Sequence, residues 1–301
     1  EKKLKNRCGS KYAVAVNSAT SALHLTCLAL GLKKGKYLWT VPISFVASAN
    51  CGLYCGAKVD FVDIDNQTYN IDLIKLEKKL ITAKKTNKLP AVLIPVHLGG
   101  NPCNLIGLRR LSKKYNFKII EDASHALGSK YRGEPIGNCN YSDAVVFSFH
   151  PVKSITSGEG GAVLLNDKKI YTKIKMLREH GITKNPKAFK KNNPGAWYFE
   201  QQHLGYNYRM SDIHAALAAS QLDHLKKFTS TRNKIVKKYL KELSNLKIKF
   251  QKIEKNSLSS WHLFIIRVNK KIHKKLFDFL RKKKLYVQIH YIPIYRHPYY
   301  L

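Results

Sequence analysis

Phe147-Ser-Phe-His-Pro-Val-Lys153-Ser-Ile-Thr-Ser-Gly-Glu-Gly-Gly161 is the stretch on which the reading of this chain turns. The apolar run 143–147, Asp-Ala-Val-Val-Phe, leads into it, and a second run, Ala162-Val-Leu-Leu165, leaves it. Short apolar runs bounded by glycine and hydroxyl residues read as strands, here 144–148 and 162–165. Between them stands one lysine. Most lysines of the chain lie in charged runs, but Lys153 has no charged neighbour before Glu159. Beside apolar sequence an ammonium loses solvation, its pKa falls, and the neutral amine becomes nucleophilic toward carbonyls. Lys153 therefore meets the requirement for a Schiff-base lysine; the plainer reading is a loop lysine.

Upstream lies Phe117-Lys-Ile-Ile-Glu-Asp122-Ala-Ser-His125-Ala-Leu-Gly128, a short β-branched strand with Asp122 at its carboxyl end. In open α/β sheets ligands bind outside the carboxyl ends of strands. A carboxylate there can keep a pyridine nitrogen protonated and so make the ring an electron sink. Asp122 also reads as a helix N-cap, and His125 as a satisfied core histidine. Further upstream, Val14-Ala-Val-Asn-Ser-Ala-Thr20-Ser21-Ala-Leu-His-Leu25 runs a strand into hydroxyls that open an apolar helix. Free N–H groups and hydroxyls at a positive dipole end form an anion site, most economically for phosphate. An ordinary Ser/Thr cap is the alternative.

The same alternation covers most of the chain. Strands are expected at 13–16, 37–41, 58–62, 91–96, 118–120, 144–148 and 162–165, and helices at 20–31, 45–55, 71–82, 103–115 and 168–179. This predicts a mostly parallel sheet wrapped by helices on both faces. Residues 183–205 read as a loop, followed by helices at 211–224 and 228–245. A smaller α/β unit closes the chain, with a strand at 263–268, a helix at 272–283 and a strand at 286–289. The division expected is a large domain over 1–225 and a small one over 226–301.

Six motifs occur in one order: the phosphate cup, Thr40-Val-Pro-Ile-Ser-Phe45-Val-Ala-Ser48, Glu121-Asp-Ala-Ser-His-Ala-Leu-Gly128, Ser148-Phe-His-Pro-Val-Lys153, Glu159-Gly-Gly-Ala-Val163 and Gly205-Tyr-Asn207-Tyr-Arg-Met-Ser211. In that order they resemble the DegT/StrS-type sugar aminotransferases, pyridoxal phosphate (PLP) enzymes of fold type I. Val41-Pro-Ile-Ser-Phe-Val-Ala47, Ser124-His-Ala-Leu-Gly-Ser129, Phe147-Ser-Phe-His150 and His290-Tyr-Ile-Pro-Ile-Tyr295 are similar to one branch of it. That branch aminates C4 of a UDP-linked 4-keto-6-deoxy-N-acetylhexosamine on the way to pseudaminic acid, used in flagellin glycosylation and cell-surface polysaccharide.

The resemblance implies that Lys153 carries PLP, that Asp122 partners its pyridine nitrogen, and that Phe45 stacks on the ring with His125 beside it. It assigns phosphate contacts to Thr20, Ser21 and Ser148, and a contact from the neighbouring subunit to Asn207. By the residues alone, Phe45 could be core, Ser148 a strand hydroxyl and Asn207 a turn residue. Glutamate as amino donor, a UDP-linked keto sugar as acceptor and a homodimer with shared active sites follow from the same resemblance. His180, His290 and Tyr291 are candidates for sugar or donor contacts. The chain starts later than the family pattern and ends at Tyr300-Leu301 in the small domain, which reads as truncation, and Ser154 replaces a proline common after the lysine. A related sugar dehydratase carries histidine at the lysine position, which Lys153 opposes.

Composition narrows the rivals. With 301 residues and 44% hydrophobic content, the chain can bury a large core. No apolar run is long enough to span a membrane, and Glu1-Lys-Lys-Leu-Lys5 is no signal peptide. Six cysteines without CxxC pairing point to a reduced cytoplasm and no metal site. A net charge of +35 invites a nucleic-acid role. Yet the excess is mostly lysine, spread in pairs along the whole chain, with no nucleic-acid-binding motif. A basic surface that attracts an anionic nucleotide sugar accounts for it better.

Overall fold

A computed structural model describes residues 1–301. Its elements run α1 (Lys2–Cys8), β1 (Tyr12–Val16), α2 (Ala19–Ala29), β2 (Tyr37–Thr40), α3 (Ala47–Tyr54), β3 (Lys58–Phe61), α4 (Leu73–Lys85), β4 (Val92–Ile94), α5 (Leu105–Tyr115) and β5 (Lys118–Asp122). Then come β6 (Lys130–Tyr131), β7 (Glu134–Pro135), β8 (Ala144–Ser148), β9 (Gly161–Leu165), α6 (Lys168–Arg178), β10 (Ile182–Thr183), β11 (Glu200–Gln201) and α7 (Asp212–Glu242). The last elements are β12 (Lys249–Phe250), β13 (Ser257–Leu258), β14 (Ile266–Arg267) and α8 (Lys270–Lys282).

Seven strands form the central sheet in the order β1-β9-β8-β5-β4-β2-β3. All neighbours pair in parallel except β9, which is antiparallel to both β8 and β1. The expected mostly parallel sheet is thus present, with one reversed strand. Its two faces are both buried. Along β8, Val145 and Phe147 enter one hydrophobic cluster and Ala144 and Val146 the other, as the two-residue period of a strand requires. Helices cover both faces because their apolar residues recur at helical spacing: α5 buries Leu105, Leu108, Leu111 and Tyr115. Caps start them where the sequence supplies an oxygen; Asp72 accepts from the Ile74 and Lys75 amides.

The helices expected at 20–31, 45–55, 71–82, 103–115 and 168–179 appear within a few residues of those bounds. Other expectations need correction. The two helices expected at 211–224 and 228–245 are one helix of 31 residues, α7. No proline or glycine interrupts Leu225-Lys-Lys-Phe228, and Ala218, Leu222, Leu225, Thr229 and Val236 carry one buried stripe through it. The division between 225 and 226 therefore falls inside a continuous helix. Residues 286–289 form no strand, the strand at 263–268 shortens to β14, and the loop 183–205 contains β11 opposite β10. Helix α1 and the small sheet β13-β6-β7 were not expected. No helix is long and apolar enough to cross a membrane.

Candidate active site

The site lies at the edge where the parallel strands end. Register builds it: Ser148 pairs with Gly161, and Gly161 with Val16, so the ends of β8 and β1 meet across the start of β9. Helix α2 rises from that row. Ser18 caps it, accepting from the Ser21 amide at 3.1 Å. A Cβ on Gly161 would fall 2.5 Å from the Ala19 nitrogen and from the Ser18 carbonyl carbon, so only glycine lets the strand pass beneath the helix start. The free amides of α2 and the hydroxyls of Ser18 and Thr20 border a cleft of about 420 Å³. That volume falls in the range of roughly 300–1,000 Å³ that holds a small-molecule cofactor.

Asp122 closes β5 at the floor of the cleft and is 5% exposed. Its Oδ2 accepts from the Ser48 hydroxyl at 2.6 Å and its Oδ1 from the Ser124 amide at 3.1 Å. Lys153 sits in the turn after β8, where its amide donates to the His150 carbonyl at 2.9 Å. Burial pushes the Lys153 ammonium below the ordinary lysine range, and the Asp122 charge opposes part of that shift. Phe45 presents a 60%-exposed ring on the wall of the same cleft.

Three imidazoles form the opposite wall. His125 Nδ1 accepts from the Gly99 amide at 3.3 Å, which leaves the proton on Nε2, facing the Tyr291 hydroxyl at 3.4 Å. The His262 ring lies 4.3 Å from it, centroid to centroid. Burial, followed by the charges of His262, Lys153 and His290, holds His125 well below the usual imidazole range. His262 is lowered to about 3 by burial, then Lys153, Arg232 and His290. His290 is lowered by burial and then Lys153. Burial, then the Asp122 charge, raises the Tyr291 phenol. The wall is neutral at physiological pH.

Tertiary folding brings this wall in from far along the chain. The Ser260 hydroxyl donates to the His125 carbonyl at 2.9 Å and its amide to Ser129 Oγ at 3.0 Å, which seats His262. The Ile294 amide donates to the Pro42 carbonyl at 2.9 Å, and the Tyr300 hydroxyl to Asn50 Oδ1 at 2.6 Å, which seats His290 and Tyr291.

Thr20, Phe45, Asp122, His125, Ser148, Lys153, His290 and Tyr291 all line the cleft. Ser21 does not: it is buried under the cap, its hydroxyl donating to Asn17 Oδ1 at 2.5 Å, and Ser18 takes its place on the wall. Asn207 and His180 lie outside the cleft. Asn207 bridges to Glu179, and the neighbouring Tyr208 carbonyl accepts from the Asn17 amide at 3.0 Å. Sequence reasoning missed Ser18, Ser44, Ser48, His150, Glu159 and His262. Ser44 and Ser48 stand inside a quoted motif, and their spacing of one helical turn was the available signal. His262 carried no local signal.

The donors fit pyridoxal phosphate. A desolvated amine, a buried carboxylate with both oxygens already oriented, an exposed aromatic face and a hydroxyl-rich helix start surround one cleft.

The sequence model of the DegT/DnrJ/EryC1/StrS aminotransferase family matches residues 1–301. A UDP-4-amino-4,6-dideoxy-N-acetyl-beta-L-altrosamine transaminase of Campylobacter jejuni subsp. jejuni is 42% identical over 296 residues, 97% of this chain and 74% of that protein. Among solved structures, Helicobacter pylori PseC, an aminotransferase of pseudoaminic acid biosynthesis, superposes with a TM-score of 0.87 at 33% identity, covering 100% of this chain and 78% of that one. Spr1654 of Streptococcus pneumoniae, described as a sugar aminotransferase and solved in its PLP form, gives 0.86 at 27% identity, with 100% and 78% covered.

Proposed function

The chain belongs to the DegT/DnrJ/EryC1/StrS aminotransferase family, and from that premise we propose that it moves the amino group of glutamate to C4 of a UDP-linked 4-keto-6-deoxy-N-acetylhexosamine. It is a PLP-dependent nucleotide-sugar aminotransferase. Lys153 and buried Asp122 on one cleft support the amine-transfer chemistry, and the likeness to the UDP-4-amino-4,6-dideoxy-N-acetyl-beta-L-altrosamine transaminase supports the choice of sugar and carbon. PLP, when bound, supplies a ring that accepts the electron pair left when a proton departs from the carbon bearing the amine.

The rest is done by the chain's own side chains. Lys153 Nζ holds the cofactor in the resting enzyme. Once released, and with burial favouring its neutral form, it would take the α-proton of the amino donor and later deliver a proton to the sugar carbon. Asp122 holds the proton on the pyridine nitrogen. Thr20, Ser18 and the α2 amides bind the phosphate, with Ser148 beside them. Phe45 would offer an aromatic face to the cofactor ring, with His125 lining the same cleft. His262, His290 and Tyr291 offer neutral hydrogen-bonding groups to the sugar's hydroxyl and acetamido groups, excluding water as they do so.

The active enzyme is read as a homodimer. Trp197, Leu204 and Ile213 are 78%, 81% and 82% exposed, an apolar set flanking Asn207, which stays outside its own chain's cleft. A second copy across a two-fold axis would cover them and receive Asn207 at its phosphate. All six cysteines are free, in keeping with a cytoplasmic location. The test is purified protein with PLP, glutamate and UDP-4-keto sugars, read by mass spectrometry. An amino sugar at C4 with formation of 2-oxoglutarate is expected. Amination at another carbon would reject the C4 assignment, and no amination of any keto sugar would reject the substrate class.

A further inference from the structure

We infer that Ser48, through a directed hydroxyl relay from Ser44, is the positioning residue that aims the Asp122 carboxylate at the cofactor's ring nitrogen. The inference rests on the reading of Asp122 given above and adds what orients it. Ser48 is fully buried, Ser44 is 4% exposed and Asp122 5%. The Ser48 hydroxyl has one hydrogen, and the acceptor 2.6 Å away is a carboxylate oxygen that cannot donate. That hydrogen therefore goes to Asp122 Oδ2. Ser44 Oγ lies 3.0 Å from Ser48 Oγ, so the remaining polarity is set: Ser44 donates to Ser48, and Ser48 to Asp122.

The consequence is geometric. With the Ser124 amide on Oδ1 and Ser48 on Oδ2, each oxygen carries one donor and the carboxylate plane cannot turn. One lone pair remains on each oxygen, aimed away from those donors. A charge-assisted bond of 2.6 Å whose donor is itself polarised by a second hydroxyl is stronger than an isolated one. Ser44 and Ser48 sit one turn apart around the start of α3, whose next turn is buried through Cys51. Ser48 is thus held by the first turn of the helix and Ser44 by the buried bend before it.

The experiment loads wild-type and variant proteins with PLP labelled with nitrogen-15 in the ring and records the ring-nitrogen chemical shift against pH. Melting temperature and the split between kcat and KM are measured alongside. Ser48→Ala is expected to move the ring-nitrogen signal toward its unprotonated position and lower kcat about tenfold, the scale of one hydrogen bond to a charged group, with KM nearly unchanged. Ser44→Ala should shift the signal the same way by less, since Ser44 acts only through Ser48. A ring-nitrogen signal unmoved by Ser48→Ala but moved by Asp122→Asn would overturn the inference and leave the role of Asp122 intact. A signal unmoved by Asp122→Asn would overturn both. A larger effect from Ser44→Ala than from Ser48→Ala would overturn the direction of the relay.

Discussion

The two walls of the cleft are built differently. The wall made by β5, β8 and the starts of α2 and α3 belongs to the central sheet, and its polar groups are buried and held by short bonds such as Ser48 to Asp122 at 2.6 Å. The opposite wall combines His125 with residues 260–291, a segment whose one strand, β14, is two residues long and whose helix α8 buries no residue. Chemistry common to every substrate sits on the first wall, where preorganisation matters most. On the proposed reading, recognition of a particular sugar falls to the second, where side chains can be exchanged without disturbing the sheet. Mutations on the two walls should therefore affect different kinetic constants.

The largest effect should come from the first wall. Lys153→Ala removes both the cofactor's covalent link and the proton carrier, and turnover should fall by at least ~10⁴-fold. Borohydride trapping of the wild-type protein should modify Lys153 alone; an adduct on another lysine would break the comparison at its strongest point. Next, Asp122→Asn should cost about 10²–10³-fold in kcat with PLP still bound, because an amide cannot hold the pyridinium charge. Turnover near wild type would reduce Asp122 to a cap.

On the second wall, His262→Gln should raise KM for the sugar several-fold and change kcat little, since a neutral hydrogen-bonding group replaces another of smaller reach. A fall in kcat alone would move His262 to the chemical side of the cleft. Mixing Lys153→Ala chains with Asn207→Ala chains tests a third contributor, the neighbouring copy. Two inactive variants that exchange subunits should recover activity, because one site of each mixed dimer keeps both residues.

The smallest effect is on stability. His262 is lowered to about 3 in the folded chain, whereas an unfolded histidine titrates at an ordinary value near 6.5. Between those values the unfolded state binds more protons, so stability is complete above about pH 6.5 and is lost as pH falls toward 3. His125 and His290 are shifted in the same direction. The melting temperature of His262→Gln should accordingly fall less steeply on acidification than that of wild type. Parallel acid profiles would mean that His262 is not desolvated.

Local sequence determined the sheet and the first wall. The strands at 118–120 and 144–148 and the hydroxyls after 13–16 announce themselves within short windows, because strand period, turn chemistry and capping act over a few residues. Lys153, Asp122 and Thr20 could be singled out from those windows, Phe45 and Ser148 only through the family resemblance, and all five share one cleft. Only the tertiary structure decided the rest. The continuity of α7 depends on a buried stripe that needs the sheet as its partner, and the displacement of Ser21 by Ser18 depends on which hydroxyl the cap consumes. His262 reached the cleft because Ser260 bonds across 135 positions of sequence to His125, and His290 and Tyr291 because Ile294 reaches Pro42. Bonds between residues so far apart leave no periodicity or spacing in the chain, so nothing short of the folded molecule could reveal them.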